Sequence, residues 1–446
     1  MALSVLQTLI VPKLLGVEQY GYWQLYIFYV SYVGFFHLGL SSGVYLTTGG
    51  QARDKMDKDS IKSQMIFGVT YQTIMALVII LLSTYMQEGF ERIFVVVMTA
   101  IYLVLQNLAT FMMNELQCMN ETKKSSFSTI IERFAFLVPL LILLVLNIDV
   151  FYPYVFAYTA STIVQLAYCA WHMRDFWSAK WLGFKITARL GWSSIRIGFP
   201  MMLANVMSML ILGIGRFFID AQWGIETFGR LSLALSLVSF FLAFVNQASM
   251  VLFPSLRQAS HEEVRGFYQA ARDAMGLLFP AVYALYFPMV RLLALWLPDY
   301  ASTFLFLIFL LPICVFDSKF NITGVTYFNV LRRERIMLAV NIVSACASLA
   351  LTIAAVYVID SVFAVIAVMT IVIVTRGMWT ELYMNRLLGV SVSSIGVAEL
   401  ALTAEFVVAA YFLPALPAFF LYLFSYAVFL LAFRGDLSRT INRLKA

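Results

Sequence analysis

The apolar stretches of this sequence contain a few ionisable residues. Asp317 and Lys319 lie two positions apart inside one apolar run. Three more lie near the ends of two other runs, namely Arg216, Asp220 and Arg230. An ionisable side chain at membrane depth costs free energy, so by default it indicates a function. A cationic side chain in such a place can bind a phosphorylated anion, and a carboxylate can bind a cation or exchange a proton.

Structural explanations compete with a binding role for these residues. Lys319 can be neutralised by a local contact with Asp317, and an arginine near a helix end can extend its side chain to the membrane interface. We rank Lys319 first as a candidate substrate-binding residue, because it lies well inside its apolar run. The other candidates are Arg230, Arg216, Asp317 and Asp220. Two further arginines are interpreted as interface anchors (Arg133 and Arg376), and three further carboxylates lie in apolar runs (Glu381, Glu399 and Glu405).

The sequence contains no arrangement typical of catalysis or of a metal site. Its histidines (His37, His172 and His261) are scattered without the spacing of metal ligands, and its four cysteines form no CxxC motif. No glycine-rich loop typical of phosphate binding occurs. We therefore expect a protein that is not an enzyme and that uses no cofactor or metal ion.

The composition predicts that these ionisable residues lie in membrane-spanning helices. The chain is 62% hydrophobic and 12% charged, whereas a soluble domain contains about 25% charged residues. Apolar runs such as 66–86 and 337–359 are long enough to cross a hydrocarbon core of ~30 Å as helices. The sequence therefore predicts an all-α polytopic membrane protein.

About fourteen transmembrane helices are predicted, with boundaries that carry the usual tolerance of a few residues. As a helix, residues 1–14 would rise only about 21 Å, so we expect the first span to be incomplete. The spans cover roughly 1–16, 22–48, 64–86, 93–114, 127–147, 151–171, 194–215, 229–254, 270–290, 301–325, 337–358, 361–383, 395–413 and 415–433.

Basic residues alternate between the two sides of this topology. Loops on one side carry most of them, in the groups 53–62, 123–124, 174–189, 257–272, 332–335, 386 and 434–445. Because Lys and Arg are concentrated in cytoplasmic loops, both termini are predicted to be cytoplasmic. The formal net charge of +6 thus reflects topology, and no nucleic-acid partner is expected.

One short line of the sequence is repeated. "GVEQYGYWQL" (16–25) and "GIETFGRLSL" (224–233) share Gly, Glu, Gly and Leu at the same positions. Six predicted spans separate them, so both lie on the outer side and indicate a parallel repeat. We interpret the first Gly of each copy as part of a tight interhelical turn.

The repeat predicts two bundles of six helices followed by an extra pair. The expected boundaries are 1–171 for the first lobe, 172–193 for a cytoplasmic linker, 194–384 for the second lobe, and 385–446 for the extra pair and tail. Aromatic and basic residues alternate in the linker. They favour either an amphipathic helix on the inner leaflet or an ordinary connecting helix.

Two stretches resemble a known family. "VPKLLGVEQYGYWQLYIFYVSYVGFFHLGLSSGV" (11–44) and "GFPMMLANVMSMLILGIGRFFIDAQWGIETFGRLSLALSL" (198–237) resemble the beginnings of the two lobes of polysaccharide-unit flippases. These belong to the multidrug/oligosaccharidyl-lipid/polysaccharide exporter superfamily. Pro200 and Arg216 take family positions, whereas Gly215 stands where the family often has Asp.

The resemblance implies a function. Such proteins move an oligosaccharide linked to undecaprenyl diphosphate from the inner to the outer leaflet by alternating access. These proteins lie in the bacterial inner membrane, and the flipped product is used to assemble O-antigen, capsule or exopolysaccharide. The implied partners are this lipid-linked oligosaccharide, membrane lipid, and a polysaccharide polymerase with glycosyltransferases.

Other functions remain open. A cation or drug antiporter of the same superfamily needs a buried carboxylate in a lobe, and the first, second and seventh predicted spans contain no Asp or Glu. A polytopic polymerase or glycosyltransferase is expected to carry acidic residues on large outer loops, whereas the outer loops here are short. A scaffold for the assembly enzymes would make no demand on Lys319.

Overall fold

A computed structural model gives the arrangement of the chain. It describes residues 8–85, 89–258 and 260–436, except for the side chains at 243–258 and 261. The described residues form helices joined by short turns, and no strand occurs among them. The predicted all-α class is therefore confirmed.

Sixteen α-helices are described and are numbered in chain order. The first eight are α1 (Val11–Ser31), α2 (Leu40–Thr48), α3 (Lys58–Tyr85), α4 (Phe90–Cys118), α5 (Thr122–Val145), α6 (Tyr152–His172), α7 (Arg174–Trp177) and α8 (Phe184–Gln258). The others are α9 (His261–Leu278), α10 (Ala281–Trp296), α11 (Phe304–Lys319), α12 (Thr326–Val330), α13 (Glu334–Ala354), α14 (Val362–Leu387), α15 (Ser394–Phe412) and α16 (Ala415–Ala432). Short 3-10 or π segments cover Val33–His37, Pro298–Thr303, Phe320–Val325 and Ala355–Ile359.

The helices are those of a multi-pass membrane protein. Within the described ranges, ten are long and apolar enough to cross a membrane, or eleven if the bent pair Val11–His37 and Leu40–Thr48 is one span. The predicted count of fourteen is thus not confirmed, and residues 1–7 of the first predicted span lie outside the described residues. One helix, Phe184–Leu242, has 59 residues and would rise about 88 Å. It belongs to α8, which is broken at Gly224 and contains the two predicted spans 194–215 and 229–254.

The repeated sequence lines have matching backbone breaks. Gly16 has φ 68° and ψ 179°, and Gly224 has φ 79° and ψ −178°. Positive φ combined with extended ψ is essentially restricted to glycine. Each glycine therefore breaks its helix at the corresponding point of the repeat, and its predicted role in a turn is confirmed.

The chain divides into two compact units, residues 1–207 and 208–446, and their boundary lies inside α8. The second unit includes the C-terminal helices as well as Lys319. The predicted division into two six-helix lobes, a linker at 172–193 and an extra helix pair stays a prediction.

In the first unit, α2 and the beginning of α8 pack through small residues. A Cβ atom at Gly43 would overlap the Ser194 carbonyl oxygen, and one at Gly198 would overlap the Gly39 carbonyl oxygen. The two backbones are therefore in direct contact, as small residues allow between membrane helices. Ser194 and Gly198 are four residues apart, which places both on one face of α8, and Gly39 immediately precedes α2.

Ion pairs hold the segment after α6. Arg53 Nη2 lies 2.5 Å from Asp175 Oδ1, Arg53 Nη1 lies 2.8 Å from Glu121 Oε2, and Lys58 Nζ lies 2.8 Å from Asp175 Oδ2. The hydrogen bond from Arg53 holds the pKa of Asp175 well below its usual range, and the contact with Lys58 lowers it further. Partial burial of the carboxylate raises the pKa, but by less than these contacts lower it. Residues 172–192 do not form one amphipathic helix, because the short α7 and a non-helical stretch precede α8.

In the second unit, the C-terminal helices α15 and α16 pack directly around α10. The Tyr422 hydroxyl donates to the Pro280 carbonyl oxygen at 2.7 Å. The rings of Tyr283 and Phe406 stack with their centres 4.6 Å apart. The extra helix pair is therefore an integral part of this unit.

Candidate functional site

Two carboxylates bind the ammonium group of Lys319, the last residue of α11. Its Nζ lies 2.6 Å from Glu399 Oε2 on α15 and 2.9 Å from Glu381 Oε2 on α14. Lys319 is 5% exposed and Glu399 is fully buried. A buried ion pair offsets its desolvation only with short, well-oriented contacts, and these distances fulfil that condition. Three helices thus meet at one ammonium group, and these three residues are called the Lys319 triad below.

Asp317 has a different partner, Arg376 on α14, with which it forms a hydrogen-bonded ion pair. Arg376 is 4% exposed. Its Nη1 donates to Ser208 Oγ at 3.1 Å and to Asn341 Oδ1 at 3.4 Å. Its guanidinium carbon lies 4.0 Å from the ring centre of Phe320, a cation–π contact. The pair therefore joins α8, α11, α13 and α14.

The backbone changes geometry immediately after Lys319. Phe320–Val325 form a π-helical turn, and Thr323 Oγ1 donates to the Lys319 carbonyl oxygen at 2.7 Å. Single π turns inside helices are frequent at functional sites. Glycine also leaves room here, because a Cβ atom at Gly276 would lie 3.5 Å from Glu399 Oε2 and 2.9 Å from a neighbouring side-chain carbon.

The Lys319 triad does not balance its own charge. When both carboxylates are ionised, one ammonium group and two carboxylates sum to −1. The adjacent pair of Asp317 and Arg376 sums to zero. An uncompensated buried charge is costly, so this cluster suits the binding of a positive charge better than that of an anion.

Arg216 and Asp220 lie on α8, before its break at Gly224. The Nη2 of Arg216 donates to Ser232 Oγ at 3.0 Å, and its guanidinium carbon lies 5.1 Å from the ring centre of Phe228. Asp220 is 7% exposed. Arg216 therefore joins the two halves of α8 across the turn.

Arg230 follows the break and contacts neutral groups. Its Nη1 donates to the Asp299 carbonyl oxygen at 2.7 Å and to Ser302 Oγ at 3.0 Å. These contacts orient the guanidinium group without cancelling its charge. In this respect Arg230 differs from Lys319, whose ammonium group has two carboxylate partners.

Sequence reasoning found some of these residues but not their pairing. The competing structural explanation of Lys319, a local contact with Asp317, is wrong, because Lys319 binds Glu381 and Glu399. Its substrate-binding role stays a prediction. The interpretation of Arg376 as an interface anchor is also wrong, since this residue is buried and paired. The available signal is a count of the charges in the apolar runs, because a buried cation requires a carboxylate partner and Glu381 and Glu399 lie in other runs than Lys319.

Two solved structures are similar to most of the chain. The lipid II flippase MurJ, in an inward closed conformation, matches with a TM-score of 0.67 and 10% sequence identity, over 98% of this chain and 97% of that chain. An inward-facing multidrug resistance MATE family transporter of the MOP superfamily matches with a TM-score of 0.64 and 13% identity, over 86% of this chain and 94% of that chain. The fold is therefore that of MOP superfamily proteins, and those two proteins are a flippase and a transporter rather than enzymes.

No curated protein sequence matches the chain. A family model described as polysaccharide biosynthesis protein matches residues 1–260, which is more than half of the 446 residues. Both stretches that resemble polysaccharide-unit flippases, 11–44 and 198–237, lie within this match, and the predicted relationship is confirmed. The chain belongs to the polysaccharide biosynthesis protein family.

Proposed function

We propose that this protein flips an oligosaccharide linked to undecaprenyl diphosphate from the inner to the outer leaflet of the bacterial inner membrane. The product serves assembly of a surface polysaccharide such as O-antigen, capsule or exopolysaccharide. One observation carries the proposal: a member of a polysaccharide biosynthesis family has a fold that matches a lipid II flippase over 98% of its length. The movement would occur by alternating access, with glycosyltransferases acting before it and a polymerase after it.

Moving a diphosphate through a place of low dielectric constant requires cationic partners. The described contacts of Arg230 are to a carbonyl and a hydroxyl oxygen, so its charge is available to a phosphate. Lys319 is held by two carboxylates. We therefore place Arg230 first for the diphosphate, with Arg216 on the other side of the turn, and Lys319 in a different role.

The orientation of the protein is part of the proposal. Its termini, residues 1–7 and 437–446, lie outside the described residues, and their cytoplasmic placement rests on the distribution of Lys and Arg among the loops. With this orientation the Gly16 and Gly224 turns lie on the outer side of the membrane.

A second candidate is a cation or drug antiporter of the same superfamily. The observation that favours it is the excess of carboxylates in the Lys319 triad, which suits a cation. Cationic side chains such as that of Arg230 disfavour it, because they would repel a cationic substrate. The two functions predict different phenotypes when the protein is lost.

Deletion of the gene in its native host tests the proposal. Surface polysaccharide should be lost, and single lipid-linked repeat units should remain protected from an impermeant glycosidase added to spheroplasts. Single units that the glycosidase can reach would contradict flipping and indicate a polymerase. Normal surface polysaccharide with reduced efflux of a cationic dye would contradict it in favour of the antiporter.

The role of Arg230 is tested by complementation of the deletion. Arg230→Ala should leave repeat units on the inner leaflet, and Arg230→Lys should restore part of the export, because a cation remains. Arg291→Ala removes an exposed arginine of α10 and is the matched control with expected normal export. Equal export by the Arg230→Ala variant and the wild type would remove Arg230 from the substrate path.

A further inference from the structure

We propose that the Lys319 triad is a proton-binding site that takes up one proton at Oε1 of Glu399. In this step the Glu399 carboxylate becomes a carboxylic acid, Lys319 stays an ammonium ion, and the charge of the triad changes from −1 to 0. This is a cation-accepting role, distinct from binding of a diphosphate by Arg230.

The surrounding charged groups leave this charge uncompensated. On α9, Arg272 Nη2 lies 2.9 Å from Asp273 Oδ1, so these two residues neutralise each other. On α11 and α14, Asp317 and Arg376 do the same. Each of these two neighbouring pairs sums to zero, whereas the triad has one carboxylate in excess of its cation.

Phenol groups also face Glu399, from α10 and α16, but they are engaged elsewhere. The Tyr283 hydroxyl shares a hydrogen bond of 3.1 Å with Thr403 Oγ1. The Tyr422 hydroxyl donates at 2.7 Å to the Pro280 carbonyl oxygen. Neither contact supplies positive charge to the carboxylate.

The second observation is an orphaned oxygen atom. Glu399 Oε2 accepts a hydrogen bond from Lys319, but Glu399 Oε1 is buried and has no hydrogen-bond partner among the described residues. An ionised oxygen in this state bears the full cost of desolvation, which protonation largely removes. Oε1 is therefore the atom at which proton binding removes most of the desolvation cost of the excess negative charge.

A proton fits this site better than a metal ion. Within the described part of the chain, no group of three or more His, Cys, Asp or Glu residues is placed to hold a metal ion. The side chain of Glu381 is 16% exposed, whereas that of Glu399 is fully buried. Water can thus deliver a proton to Glu381. Lys319 then gives one of its protons to Glu399 Oε2 and takes one from Glu381 Oε2, so that it stays an ammonium ion. Rotation of the Glu399 carboxyl group exchanges its two oxygens, which brings the proton to the Oε1 position and an unprotonated oxygen to Lys319.

Protonation would loosen the junction of three helices. The ammonium group of Lys319 attracts a neutral carboxylic acid less than a carboxylate, so α15 would be held less firmly against α11 while α14 stays paired. Coupling of this change to transport rests on the proposed function, whereas proton binding itself does not.

Infrared titration of the purified full-length protein in lipid nanodiscs tests proton binding directly. The wild type should show a carbonyl band of a protonated carboxylic acid that appears as pH falls and shifts on labelling of glutamate with ¹³C. Glu399→Gln should lose this band. Glu405→Gln is the control, because Glu405 lies on the same helix and accepts a hydrogen bond from Ser425 at 2.6 Å, and it should keep the band.

Persistence of the band in Glu399→Gln would overturn the proposal. Glu381→Gln provides a second test if the first variant does not fold, because removing either carboxylate balances the triad and should abolish the titration. A titration that shifts when choline chloride is replaced by sodium chloride would overturn the assignment to a proton in favour of a sodium ion.

The pH dependence of glycan export separates this proposal from the proposed function. If the band titrates but deletion of the gene leaves export intact, the proton site stands and the flippase function fails. If export depends on the protein but no band titrates, the reverse holds. When both stand, Glu399→Gln should flatten the dependence of export on pH.

Discussion

Replacement of Lys319 by methionine should destabilise the protein strongly. Methionine has a similar length and fits a buried position, so the change removes charge with little change in packing. It leaves Glu381 and Glu399 facing each other without their common cation, at a place where Glu399 is fully buried. The triad then changes from −1 to −2 if both carboxylates stay ionised.

The size of the effect follows from the contacts that are lost. Removing one partner of a buried ion pair costs about 3–5 kcal/mol, because the remaining charge is left uncompensated. Glu399→Gln should cost less, about 1–3 kcal/mol, the range for a disturbed buried hydrogen bond. That variant leaves Lys319 and Glu381 as a balanced pair. The order of the two effects therefore depends on the excess negative charge of the triad.

Unfolding in detergent, followed by tryptophan fluorescence, together with the amount of protein in the membrane, measures these differences. Lys319→Arg is the matched control, since it keeps a cation and should retain most of the stability. The double variant Lys319→Met/Glu399→Gln should be more stable than Lys319→Met alone, because it removes one of the two stranded carboxylates. Such non-additivity is expected of residues in direct contact.

The opposite result would refute this reasoning. The free energy of unfolding of Lys319→Met could instead lie within about 0.5 kcal/mol of the wild-type value, the range typical of surface substitutions. In that case the triad does not stabilise the fold. If that variant also loses glycan export at normal abundance, Lys319 would have the substrate-binding role first predicted from the sequence.

Three further predictions concern other parts of the molecule. Gly224→Ala should destabilise by about 1–3 kcal/mol through backbone strain, because no neighbour obstructs the added methyl group, whereas Gly266→Ala in an open helical position should be neutral or stabilising. A neutral effect of Gly224→Ala on the unfolding temperature would contradict the turn assignment. Asp175→Asn should lower the free energy of unfolding at pH 7, and its difference from the wild type should vanish in acid. Because the pKa of Asp175 is lower in the folded state, the ionised carboxylate stabilises the fold above the unfolded-state pKa of about 3.9. This contribution is lost as pH falls through the folded-state pKa. A cysteine at Arg333 should be shielded from impermeant thiol reagents in intact cells and one at Glu226 should react, and the reverse pattern would invert the proposed topology.

Local features of the fold could be predicted from the sequence because local chemistry determines them. Apolar runs long enough to cross a membrane specify helices whatever their neighbours are. The repeated glycines at 16 and 224 could be assigned to turns because the similarity of two short segments indicates the same backbone requirement. The number of spans could not be confirmed, since the predicted spans 194–215 and 229–254 lie in α8, which has a backbone break at Gly224 but no loop between them.

The site could be predicted only in part, because its pairings join distant segments. The sequence singles out Lys319 and Asp317 as ionisable residues in an apolar run, but their proximity in sequence offers a local contact as the structural alternative, and that contact does not form. On a helix, residues two positions apart point in different directions, so each found its partner on another helix. The partner of Lys319 at Glu399 is 80 residues away, and only the packing of α15 reveals it.

The pairing of Lys319 with Glu399 indicates that the extra C-terminal helices contribute to the stability of the second unit. A C-terminal pair that follows two six-helix lobes could be an accessory that the core does not need. Here α15 supplies the buried carboxylate that lies closest to Lys319, and α16 donates the Tyr422 hydrogen bond beneath α10. Truncation before α15 should therefore expose an apolar face of α10 and α11 and uncover the remaining pair of Lys319 and Glu381, and the shortened chain should fail to accumulate in the membrane. Normal accumulation and export by that truncation would show that the second unit is complete without the pair.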